Sequence, residues 1–77
     1  MAGKESLTPL SEKMEIAFYN VIDHRCDRME EKNVPNDKII ESISDYAKKY
    51  IERHEMSVNK RKELQTFVSI IISNYKD

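Results

Sequence analysis

The chain is poor in everything that would staple or hinge a small fold. It has one cysteine, Cys26, so no intramolecular disulfide can form. It has one glycine, Gly3, so every turn after it must be made by Asn, Pro or Ser. It has no long apolar run. The longest cluster, residues 67–72, is interrupted by Ser69 and far too short to span a bilayer. The first six residues are polar, with no apolar core of a targeting signal behind them. Neither charge sign dominates: 13 Lys and Arg face 14 Asp and Glu, for a net charge of −1. That balance is not the basic composition of a dedicated nucleic-acid binder. The expectation from these absences is a cytoplasmic protein that is not membrane-bound, and the lone cysteine fits a reducing compartment.

At 77 residues the chain makes one domain. A domain of this size buries only about 60% of the surface that its unfolded chain exposes. Without disulfides or a metal cluster, a second copy is the usual remaining source of stability. The apolar fraction of 39% supports a core.

What the chain does have is helical periodicity. Residues 1–7 are unpatterned and read as a disordered arm, with a single three-helix domain over residues 8–77. Thr8-Pro9 has the chemistry of a helix start: a hydroxyl that caps free N–H groups, then a proline that loses no hydrogen bond. A first helix is expected over residues 9–32. Met14, Ala17, Phe18, Val21 and Ile22 share one face, and Leu10 and Met29 extend it. Asn33-Val34-Pro35 ends it, because the residue before proline is pushed out of the α region. A second helix follows over residues 36–55, striped by Ile39, Ile40, Ile43, Ala47, Tyr50 and Ile51. After Met56, Ser57 caps a third helix, which carries Leu64, Phe67, Val68, Ile71 and Tyr75 on one face. The architecture expected is all-α: a long first helix packed on an antiparallel two-helix hairpin, assembled as a homodimer.

The first helix, about 36 Å long at 1.5 Å per residue, outreaches a hairpin of about 28 Å. Its distal half is crowded with charge, and Arg25 falls near the centre of its apolar stripe. That half is expected either to project into solvent or to lie on a second subunit that pairs the arginine.

No catalytic or metal-ligand pattern stands out. His24 and Cys26 are two residues apart, which on a helix points them about 200° apart, and zinc needs further converging ligands. His24 with Asp27 and Arg28 has acid–base spacing, but a polar helix produces such spacings by chance, with no nucleophile at hand. No cofactor, metal or catalytic residue is assigned, and the chain reads as a non-enzyme. The basic residues are more suggestive. Lys48, Lys49, Arg53, His54, Lys60, Arg61 and Lys62 gather around the turn between the second and third helices. Three readings are open: solvated helix ends complementing dipoles, a patch for an acidic protein surface, or a nucleic-acid contact through phosphates. Lys49, Arg53, Lys60, Arg61 and Lys62 are the candidate partner contacts. Apolar residues off their stripes are the clearer signal of interaction. Ile70 points roughly 120° from the third stripe, and Ile16 and Tyr19 are off the first. These three are the candidate oligomer interface.

Two stretches carry a resemblance. Val34-Pro-Asn-Asp-Lys-Ile-Ile-Glu-Ser-Ile43, and Arg61-Lys-Glu-Leu-Gln-Thr-Phe-Val-Ser-Ile-Ile-Ile-Ser-Asn-Tyr75 after a helical stretch, resemble the small enterobacterial biofilm and acid-resistance regulators of the AriR/YmgB type. The resemblance is a pattern of apolar positions across residues 12–76, with few identities. It implies a three-helix subunit, a homodimer and a regulatory role, as a connector to two-component signalling or through DNA association. It carries over no catalytic motif. This chain departs from the pattern in a longer, more charged first helix and a longer second one. The function expected is a small bacterial regulator acting by protein–protein contact. The alternative is a stand-alone phage- or plasmid-type inhibitor or adaptor that binds a host protein.

Overall fold

The computed structural model describes residues 8–76, and the expected arm over residues 1–7 lies outside them. Three helices run up, down and up: α1 over Glu12–Glu31, α2 over Asn36–Arg53 and α3 over Val58–Ser73. The all-α reading holds. Two short extended pieces, β1 at Thr8–Pro9 and β2 at His54–Glu55, pair in parallel beside the bundle.

That pairing corrects two expected boundaries. Thr8 does not cap α1. Ser11 does, its hydroxyl accepting from the Met14 amide at 3.2 Å, so α1 begins three residues later than expected. Likewise α2 stops at Arg53, and His54–Glu55 leaves the helix as β2. The physical reason is an exchange of partners. The Leu10 amide donates to the Glu55 carbonyl at 2.9 Å, so an N-terminal segment that could have added a helical turn instead ties down the α2–α3 connection. The expected Ser57 cap is present, accepting from the Lys60 amide at 3.1 Å.

The turn between α1 and α2 is made without glycine. Asn33 takes φ of 58°, in the left-handed region that asparagine tolerates better than most residues. The Val34 amide donates to the Met29 carbonyl, and the Asn33 amide to the Glu30 carbonyl, both at 3.0 Å. This is the double bond of a Schellman end, and Val34 and Met29 both pack against the core beside it.

Phe18, Ile22 and Cys26 of α1, Ile39, Ile43 and Ala47 of α2, and Leu64 and Val68 of α3 are the buried core. Phe18 is its hub, with the rings of Tyr50, Tyr19, Tyr46 and Phe67 at 4.8, 5.8, 5.9 and 6.5 Å between centroids. The distal half of α1 neither projects nor needs a second subunit for Arg25. With 20 residues, α1 is about 30 Å long, close to its neighbours. Cys26 is buried, and Tyr75, just past α3, donates its hydroxyl to Glu30. The Arg25 guanidinium sits 4.6 Å from the centre of the Tyr46 ring, a cation–π contact on α2.

Candidate functional site

Because α1 and α3 run in the same direction, their contacts climb in step. Lys60 Nζ donates to Glu15 at 2.9 Å, Tyr19 packs edge-on to Phe67 at 4.6 Å between centroids, and Tyr75 meets Glu30. Ile16 precedes Tyr19 by one helical turn, and Ile70 follows Phe67 by one. By helical spacing the four residues describe an apolar strip that slants across the α1–α3 seam. Its middle is half-buried, and its ends, Ile16 and Ile70, are 54% and 58% exposed.

Of the three residues expected at an oligomer interface, Ile16 and Ile70 are the exposed ends of this strip and Tyr19 belongs to its packed middle. Ile16 and Ile70 are free. Tyr19, read from the sequence as off the core stripe, is not: its ring packs on Phe18 and Phe67, and its hydroxyl donates to Glu15 at 3.0 Å. Phe67, which its spacing assigns to the core stripe, packs on Tyr19 at this seam and stays half-buried. Tyr19 and Phe67 sit at the rim of their stripes, which is the signal that they are shared between core and surface.

Lys60 borders the strip and is occupied. Its ammonium bridges Glu15 and Glu63, both at 2.9 Å. The hydrogen bond from Lys60 holds the Glu15 carboxyl below its usual range, and Glu15 and Glu63 together hold the lysine above its own. Burial, then the neighbouring Glu15, pushes the Tyr19 phenol up. Lys60 is thus a cross-link between α3 and α1 rather than an open contact.

The other basic residues are divided between two grooves. Arg61 and Lys48 line a groove of about 580 Å³ between α2 and α3, floored by Ala47, Ile51, Met56 and Val68 and edged by Glu52 and Glu55. Lys49 and Arg53 line a second groove, of about 460 Å³, with Arg25, Tyr46 and Tyr50. Lys62 lines neither and is exposed. The split follows from helix geometry: Lys60, Arg61 and Lys62 are consecutive, so each points about 100° from the last.

The two residues singled out for metal or acid–base chemistry are also separated. His24 is exposed, while Cys26 is buried, its thiol pushed up by that burial. Among the described residues no three His, Cys, Asp or Glu side chains converge in a metal-binding group. No described helix is long and apolar enough to cross a membrane. Comparison with family models, curated proteins and solved structures yields no match. The resemblance to the biofilm and acid-resistance regulators rests on the residue pattern alone.

Proposed function

We propose that this chain is a small non-enzymatic regulatory protein that acts by protein–protein contact as a homodimer, a connector of the biofilm or stress-response kind that its residue pattern resembles. The observation that carries this reading is the strip on the α1–α3 face. Two isoleucines more than half exposed, bracketing a half-buried aromatic pair, are a large apolar outlay beside the eight buried core residues among those described. Fully burying an isoleucine is worth about 1.5–3 kcal/mol, so covering the exposed half of one contributes about 1 kcal/mol. A two-fold symmetric contact uses each isoleucine twice, so the pair supplies about 4 kcal/mol before Tyr19 and Phe67 are counted.

The polar groups support the same reading. His54, which lines both grooves, engages the Tyr50 carbonyl through Nδ1 at 2.9 Å, and no serine or carboxylate bonds to it among the described residues. The division of the basic residues among separate faces favours a protein partner over DNA, whose phosphates need a continuous track. Size-exclusion chromatography with light scattering tests the reading. The expected result is a dimer that Ile70→Asp converts to a folded monomer. A wild-type chain that stays monomeric at high micromolar concentration overturns it.

A further inference from the structure

The groove between α1 and α2 has a chemistry of its own. It is lined by Arg25 of α1, by Ser42, Asp45, Tyr46, Lys49, Tyr50 and Arg53 of α2, and by His54. Three cationic side chains and one carboxylate give it a net charge of +2, in a chain whose net charge is −1. The rest of the molecule therefore carries −3, and the groove is a local reversal of sign. Neither Arg25 nor Arg53 is ion-paired among the described residues. Lys49 is held only by Asp45, at 3.3 Å, and both of those side chains are more than 60% exposed. Arg25 is fixed in direction by the Tyr46 ring beneath it, so it gives up little side-chain freedom when an anion arrives. From Tyr46 to Arg53 the helix rises about 10 Å, which spreads the three cations over roughly two turns.

We propose that this groove is the docking site for an acidic segment of a partner protein, held through Arg25, Lys49 and Arg53. Carboxylates one helical turn apart on such a segment match cations one helical turn apart on α2, and each arginine accepts a carboxylate in two-pronged fashion. A nucleic acid fits less well, for two reasons. The ring faces that would stack bases are already covered, Tyr46 by Arg25 and Phe18, and Tyr50 by His54 at 4.2 Å. A duplex is also longer than the groove, and the chain outside the groove carries a net charge of −3, whereas a short acidic peptide keeps its charge inside. The proposal deepens the reading of this chain as a protein-binding regulator by naming the chemistry of the partner. It does not depend on the dimer.

The test uses the full chain and a fluorescein-labelled hexaglutamate peptide, followed by anisotropy at low salt, with hexaglutamine and a short DNA duplex as competitors. The expected result is binding of hexaglutamate that salt weakens and hexaglutamine does not compete away. Lys49→Gln with Arg53→Gln weakens it about five- to tenfold. Lys13→Gln with Lys32→Gln, which removes the same charge from exposed positions outside the groove, leaves it within twofold. Asp45→Asn tightens it, because the change removes the one anion in the groove and frees Lys49. That gain keeps the test decisive should a weakened variant prove poorly folded. Absence of hexaglutamate binding, equal losses from the two double variants, no gain from Asp45→Asn, or preferential binding of the duplex each overturn the proposal. Loss of the dimer with peptide binding intact strikes the oligomer reading alone.

Discussion

Phe18 is the side chain on which the three helices are centred, and its replacement is the sharpest test of the packing. It is fully buried and touches four other aromatic rings, from all three helices. Phe18→Ala removes the buried ring and leaves a cavity that helices held at both ends cannot close, at a cost of about 3–5 kcal/mol. A 77-residue domain has a total stability of about 4–12 kcal/mol. The variant therefore loses a large fraction of its stability, and at the low end it does not fold. Phe18→Leu keeps most of the volume and loses the ring–ring contacts, for about 1–2 kcal/mol. Urea unfolding followed by far-UV circular dichroism reads the difference at one fixed protein concentration, since the proposed dimerisation would couple to stability. With a slope near 1.5 kcal/mol per M, Phe18→Ala moves the midpoint down by about 2–3 M and Phe18→Leu by about 1 M. A midpoint for Phe18→Ala within about 0.5 M of wild type would refute the aromatic hub.

Three further outcomes follow from particular contacts. Asn33→Val, which forces a β-branched residue to φ of 58°, costs about 1–2 kcal/mol, whereas Asn33→Gly is neutral or stabilising; thermal melts distinguish them. Lys60→Ala lowers the melting temperature more than Arg61→Ala or Lys62→Ala, because only Lys60 joins α3 to α1 through Glu15. Glu15 carries the matching pH dependence. Its folded carboxyl titrates below its ordinary value of 4.5, so its stabilisation is present above that pH and is lost as pH falls through the lower folded value. The melting temperature of wild type accordingly exceeds that of Glu15→Gln at neutral pH and converges on it in acid; a constant difference down to pH 2–3 contradicts the Lys60 contact.

Much of the fold was legible in the sequence because it is written in period. Among the described residues all eight buried ones except Cys26 lie on the stripes read from spacing alone, and Ser57 and the Asn33-Val34-Pro35 stop are local chemistry. The boundaries at Thr8 and Glu55 were not legible. They are set by a hydrogen bond between residues 10 and 55, which no local window contains. Arg25 misled for a similar reason. An arginine near an apolar stripe reads as an unmet charge, and only the structure supplies the Tyr46 ring that meets it. The candidate surface was half legible. Ile16 and Ile70 stood out as apolar residues off their stripes, but that they flank one seam depends on α1 and α3 being parallel neighbours. The basic residues cluster in sequence, which leaves open whether they share one surface. Helical rotation sends them to different faces, and Lys60 inward to Glu15.

In the proposed dimer the α1–α3 face joins two copies of the chain. Size-exclusion chromatography with light scattering, run on wild type, Ile70→Asp and Leu64→Asp, tests it most directly. Wild type is expected to be a dimer and Ile70→Asp a helical monomer, since that side chain is 58% exposed and lies outside the core. An unfolded or aggregated chain is expected for Leu64→Asp, which places a charge at a fully buried position. Ile16→Asp repeats the Ile70 result if the strip is one surface. A dimer that survives both Ile16→Asp and Ile70→Asp, or a wild-type monomer at high micromolar concentration, contradicts the claim.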